Sequence, residues 1–169
     1  MTRGPIVVRD QGTVVRFGVQ DLMRYHGPLF PGGVAHGFTA MERALPLLVA
    51  DGIPERREIR VVTAFPGPGA RDGIELVTRA VTEDRYVLDP ALARPERGTT
   101  LERYVFRFAL GERAVTVSIR EGFVTDEFIA LSRVRGRTAT EEAHLAVLKQ
   151  EMADRLLAVP ADEVYDVDG

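Results

Sequence analysis

The chain has 169 residues, 45% hydrophobic and 28% charged, the proportions of a single soluble domain able to bury a core. A net charge of −3 with no basic block argues against nucleic acid as a partner, and the absence of cysteine excludes disulfides, thiolate catalysis and cysteine-based metal sites. No apolar run reaches the roughly 18 residues of a membrane span, and the opening residues lack a signal-peptide core, so the expectation is a cytoplasmic protein with no membrane partner. Of the 22 Lys and Arg residues only Lys149 is lysine, a bias that fits a GC-rich bacterial genome and by itself locates no site.

In chain order, residues 5–17 read as a hairpin, with two β-rich runs separated by "RDQG". Residues 19–27 read as a short helix ended by Gly27. A longer helix is expected near 34–50, with Val34, Phe38, Met41, Leu45 and Leu48 on one face and Pro46 kinking or ending it. A strand over 57–65, a helix over 69–82 and a short strand over 86–89 follow. Residues 89–100 read as a long surface loop. The clearest hairpin is 103–120, where Tyr104, Phe106 and Phe108 alternate on one strand and Val115, Val117 and Ile119 on the next. These aromatics read as core rather than as a ligand platform. Thr138 with Glu141 three residues on is a capping-box signal for a helix near 139–157, and residues 159–167 read as an extended tail that docks on the body. The predicted fold is one α+β domain over 1–169, an antiparallel sheet packed against these helices.

Three stretches carry a family resemblance. "HGPLFPGGVAHG" (26–37), "GARDGIELVTRAV" (69–81) and "ADEVYDV" (161–167) are similar, in that order, to the motifs of the formylmethanofuran dehydrogenase E-subunit family. The resemblance implies a metal held by His and Cys. Position by position, however, only His26, Asp72, Ile74 and Thr78 match, while Pro28, Phe30, Gly69 and Ala80 stand where the family has His or Cys, and Glu75 replaces Gln. It therefore implies a divergent member that keeps the fold and cavity without the metal site, so no metal and no cofactor are expected.

The candidate site residues each have two readings. His26, beside Gly27 at a helix end, is either a site residue or a C-terminal cap. His36 is expected about one turn into the second helix, with Thr39, Ala40 and Arg43 on its side and away from the apolar stripe. There it is either a neutral general base or a histidine on a solvated face. Gly32 and Gly33 allow a tight turn before unpaired helix N–H groups that attract an anion. Asp72 and Glu75 share a helix face, as an acid–base pair or as ordinary solvated carboxylates. His144 reads as surface. The leading functional expectation is a small-molecule enzyme of a bacterial pathway, biosynthesis being one such setting. It would use His26, His36 and Asp72 for acid–base chemistry, with Gly32, Gly33, Arg43 and Glu75 binding a polar or anionic substrate between the 26–36 turn and the 69–80 helix. The alternative is a non-catalytic ligand-binding or accessory subunit with a decayed metal site. A homodimer is expected, since long hairpins tend to cover their edges.

Overall fold

The chain opens with the expected hairpin in the computed structural model, which describes residues 3–169. Strands β1 (Ile6–Asp10) and β2 (Thr13–Phe17) meet at Gln11 and Gly12, whose φ of 52° and 86° are the positive values a two-residue hairpin turn requires. Next come α1 (Val19–His26), α2 (Pro31–Ala44), β3 (Arg60–Thr63), α3 (Pro68–Thr78) and β4 (Tyr86–Leu88). Pro46 does end the second helix: α2 gives way to one 3-10 turn at Leu45–Leu47. Helix α3 stops short of the expected 82, because Arg79 turns left-handed at φ 56°. The hairpin β5 (Val105–Leu110) and β6 (Arg113–Ile119) turns at Gly111.

Helix α4 (Asp126–Ser132) is an element that the sequence patterns above do not predict. Its signal is local: Thr125 Oγ1 accepts the Phe128 N–H at 3.1 Å, and Asp126 and Glu127 fill the first turn. Helix α5 (Ala139–Leu157) carries the predicted capping box, with Glu141 N–H on Thr138 Oγ1 at 3.1 Å and Thr138 N–H on Glu141 Oε1 at 3.0 Å. The tail docks as β7 (Tyr165–Val167) along β6.

The α+β class holds, with two corrections to the sheet. The first hairpin is a sheet of its own, laid on the core through Ile6 and Val8, and does not join the second hairpin. The main sheet has the order β4-β3-β5-β6-β7 and is mixed, because α3 carries the chain from β3 to a parallel β4. Both edges of the 105–119 hairpin are covered, by β3 and β7, so this hairpin has no open edge for a dimer to cover. Across the sheet, Thr63, Phe106, Val117 and Val167 stand in one row, and Val61, Phe108 and Val115 in the next. These rows form the inner layer on which α2 lies.

Helix α2 is central. Every residue from Gly32 to Met41 is buried, since α1, α3, α5 and the sheet surround it. The solvated face expected beside His36 therefore does not exist. Small residues make this position possible: α2 meets α3 through Gly33 and Gly37 against Gly69 and Ala70. A Cβ on Gly69 would lie 2.5 Å from the Phe30 carbonyl oxygen and 2.8 Å from the Val34 nitrogen, both backbone atoms that cannot step aside. Gly69→Ala is expected to cost about 1–3 kcal/mol, the usual range for overpacking. Urea denaturation of the variant measures it, and an unchanged midpoint would contradict the close contact.

Candidate functional site

The first turns of α2 and α3 touch, and a cavity of about 360 Å³ lies at this junction, a size suited to a small organic ligand. Phe30 and Gly33 come from the start of α2, and Gly67, Pro68 and Gly69 from the start of α3. Phe65, Tyr104 and Phe128 give the cavity aromatic walls, and α5 closes it with Leu145, Lys149 and Met152. Four cationic side chains line it, Arg103, Arg133, Arg137 and Lys149, and no carboxylate does among the described residues. Two helix N-termini add partial positive charge to the same space.

The four cations differ in how far the fold has committed them. Arg137 is spent on structure: Nε pairs with Glu142 at 2.9 Å, and Nη1 donates to the carbonyls of Ser132 and Val134 at 3.1 and 3.0 Å, which close the end of α4. Arg133 donates to the Thr99 carbonyl at 3.3 Å and keeps its other donors. Among the described residues, Arg103 has only Glu102 within salt-bridge distance, at 4.0 Å. Lys149 has no carboxylate within salt-bridge distance among the described residues, and its Nζ stands 4.2 Å over the Phe30 ring. Burial, with help from Arg137, pulls the Lys149 ammonium below its ordinary range against the opposing pull of Glu142. Tyr104 is 3% exposed and makes no side-chain hydrogen bond among the described residues, and burial raises its phenol well above the usual range.

Of the candidate site residues singled out from the sequence, only Gly33 lines this cavity. Gly33 lines it, whereas Gly32 backs onto Met152 and the Lys149 carbonyl. The two motif segments contribute Phe30, Gly33 and Gly69 to this cavity, and its other walls come from 65–68, 99–104, 128–137 and α5. His26 ends α1, and its Nδ1 meets Asp72 Oδ2 at 2.8 Å, tying α1 to α3. A carboxylate only accepts, so Nδ1 carries the hydrogen. The His26 side chain is 5% exposed and its Nε2 has no partner among the described residues. Glu75 caps the turn after α3, accepting the N–H groups of Val81 and Thr82 at 2.7 and 3.1 Å. Arg43 donates to the Tyr165 carbonyl at 3.3 Å. His144 is exposed and pairs with Glu127 at 2.6 Å, bridging α4 and α5.

His36 is fully buried behind the cavity wall, its ring 4.5 Å from Tyr104. Its Nε2 approaches Met152 Sδ at 3.4 Å and its Nδ1 the Tyr165 hydroxyl at 2.7 Å. The thioether can only accept, so Nε2 carries the hydrogen and Nδ1 accepts from Tyr165. Both nitrogens are occupied in holding the wall. The sequence patterns did not single out Arg103, Arg133 or Lys149 as site residues, and Tyr104, read as core, is buried and also lines the cavity.

The metal implied by the family resemblance does not fit these residues. His26 Nε2 is a free donor, but Asp72 is taken up by Nδ1. Pro28, Phe30, Gly69 and Ala80 offer no ligating side chain, and the described residues contain no group of three potential ligands. No helix among the described residues is long and apolar enough to cross a membrane.

Burial lowers His36 from 6.5 to about 3, which ties stability to pH. Between those two values the unfolded chain binds the extra proton, so stability is present above pH 6.5 and is lost as the pH falls toward 3. The slope assigned to His36 is about 1.4 kcal/mol per pH unit. His36→Gln is expected to be less stable at pH 7 yet to lose less on acidification than wild type. Equal acid slopes in urea titrations at pH 7, 6 and 5 would count against a neutral buried imidazole.

The sequence matches no protein-family model and no curated protein, so the chemistry of the cavity carries the functional reading.

Proposed function

We propose that the protein binds a small organic anion with an aromatic or otherwise apolar body in the cavity where α2 and α3 begin. The single observation behind this reading is the lining itself: four cations and no carboxylate around aromatic walls. Arg103 and Arg133 are exposed side chains of a cavity partly open to solvent, and an anion there is held by charge-assisted, directed donors. Arg133 and Arg103 retain donors for it, and the two helix starts favour the same sign. Phe65, Tyr104 and Phe128 take the ligand's apolar part. This is the ligand-binding form of the expectation drawn from the sequence. It is consistent with a divergent relative of the formylmethanofuran dehydrogenase E-subunit family that has exchanged a metal site for an anion site.

Acid–base processing of that ligand is the second reading, and one observation favours it. The His26–Asp72 pair leaves a buried Nε2 free, and His26 lies 5.8 Å, ring to ring, from Phe30 on the cavity wall. Phe30 stands in the lining where His26 does not, so this chemistry requires Phe30 to move.

The test uses 4-methylbenzoate and phenyl phosphate as probes in calorimetric titration. Saturable binding is expected, weakened about tenfold in Arg133→Ala, the loss typical of one charged hydrogen bond. Raising the salt should weaken it further. No saturation with either probe at millimolar concentration would overturn the anion reading. If the His26→Asn variant binds as wild type does, His26 plays no part in binding.

A further inference from the structure

The cavity holds a group that a purely electrostatic anion site does not need. In a chain whose other basic residues are all arginine, the one residue left as lysine is Lys149, and it lies on the wall of this cavity. Had the position required only positive charge or directed donors, arginine would have served as well or better. Lysine alone supplies a primary amine that can lose its proton and attack carbon.

The surroundings of Lys149 suit that role. It is half-buried on α5, and no carboxylate lies within salt-bridge distance among the described residues to hold the ammonium. Arg137, whose charge acts on Lys149, is locked by Glu142 and the α4 carbonyls, so that positive charge stays fixed on the same cavity. The Phe30 face at 4.2 Å favours the ammonium, but burial and Arg137 act in the opposite direction, and the balance is downward. Arg103 and Arg133 line the same cavity with donors to spare, so a carboxylate held by them places the rest of a ligand within the same enclosure.

We propose that Lys149 captures the carbonyl group of an anionic aldehyde or keto acid seated in the cavity, forming a reversible imine. The step balances without any further reactant. The amine lone pair attacks the carbonyl carbon, a C–N bond forms, and the C–O π pair moves to oxygen. The proton released from nitrogen passes to that oxygen to give the carbinolamine. The hydroxyl then departs with the second nitrogen proton as one water molecule, leaving the C=N bond, and water reverses the sequence. Tyr104 lines the same cavity with its phenol proton retained, and so offers a hydrogen-bond donor for the carbonyl oxygen. The inference rests on the anion-binding reading above and adds the chemical class of the ligand.

The experiment pairs 4-carboxybenzaldehyde with its carbonyl-free analogue 4-methylbenzoate. The full chain is incubated with the aldehyde and sodium cyanoborohydride at neutral pH, and reduced adducts are mapped by mass spectrometry. Wild type is expected to take one adduct at Lys149, at least about tenfold faster than Nα-acetyl-lysine under the same conditions, because the carboxylate is held in place. An excess of 4-methylbenzoate should slow that reaction. Lys149→Arg keeps the positive charge of the wall and should form no adduct at that position. A Lys149 rate equal to that of the free amino acid, with 4-methylbenzoate still binding, would overturn the imine and leave the anion site standing. Failure of 4-methylbenzoate to bind or to protect would overturn both. The wild-type rate and its protection require no variant, so the outcome does not depend on Lys149→Arg folding.

Discussion

The contact between the first turns of α2 and α3 is the constraint on which the rest of the molecule depends. Gly69 sits so close to the Phe30 carbonyl and the Val34 nitrogen that no side chain fits between the two backbones. Gly33 and Gly37 on one helix, and Gly69 and Gly73 on the other, recur at four-residue spacing, which keeps the small residues on the facing sides. This approach has two consequences. It buries α2 on every side, and it sets two helix starts side by side at the mouth of one cavity. Unpaired N–H groups and two positive dipole ends then share a small volume, an arrangement that favours a negative ligand.

The far end of α3 is held with equal care, and with the opposite sign. Arg56 is 6% exposed and donates to the carbonyls of Leu76 and Val77 at 2.5 and 2.8 Å, while Arg85 donates to that of Thr78 at 2.9 Å. Two guanidinium groups thus satisfy the terminal carbonyls and meet the negative end of the dipole. Asp10 and Glu83 carry the counter-charge, through pairs with Arg56, Arg57 and Arg85. Glu75 closes the turn from its other side. The carboxylates near α3 are therefore gathered at its C-terminal end or occupied by His26, which explains why none reaches the cavity at its start.

Much of this frame was legible in the sequence, for reasons specific to each segment. The period-two alternation of Phe106, Phe108, Val115 and Val117 marks a strand pair with one buried face, and Thr138 with Glu141 marks a helix start, because both signals are local. The parallel pairing of β3 with β4 was not legible, since strand partners are chosen by the crossover of α3 and not by either strand alone. The burial of His36 was hidden for a related reason. Helical periodicity assigns a polar face to whatever is not aliphatic, but α2 is ringed by neighbours, and a histidine flanked by Ala35 and Gly37 is polar only until Tyr165 and Met152 satisfy it. The site was the least legible part. Arg103, Arg133 and Lys149 come from three separate segments and share nothing in sequence, and only the fold brings them to one wall.

The two histidines that draw the eye in the sequence therefore stand behind the wall of the site, on either side of it. His36 braces Tyr104 and Met152, both of which line the cavity, through a tilted ring contact and a hydrogen bond to sulfur. His26 fixes α1 to α3 through Asp72 and lies next to Phe30, another lining residue. A neutral imidazole suits the first place, since a charge there would be buried without a counter-ion. The same requirement explains the division of labour across the wall. The cationic side chains line the cavity, while the two histidines outside its lining hold shape through hydrogen bonds that are complete except at His26 Nε2. That one unanswered nitrogen belongs to a ring set against Phe30, and Phe30, which also carries Lys149 over its face, lines the cavity where His26 does not.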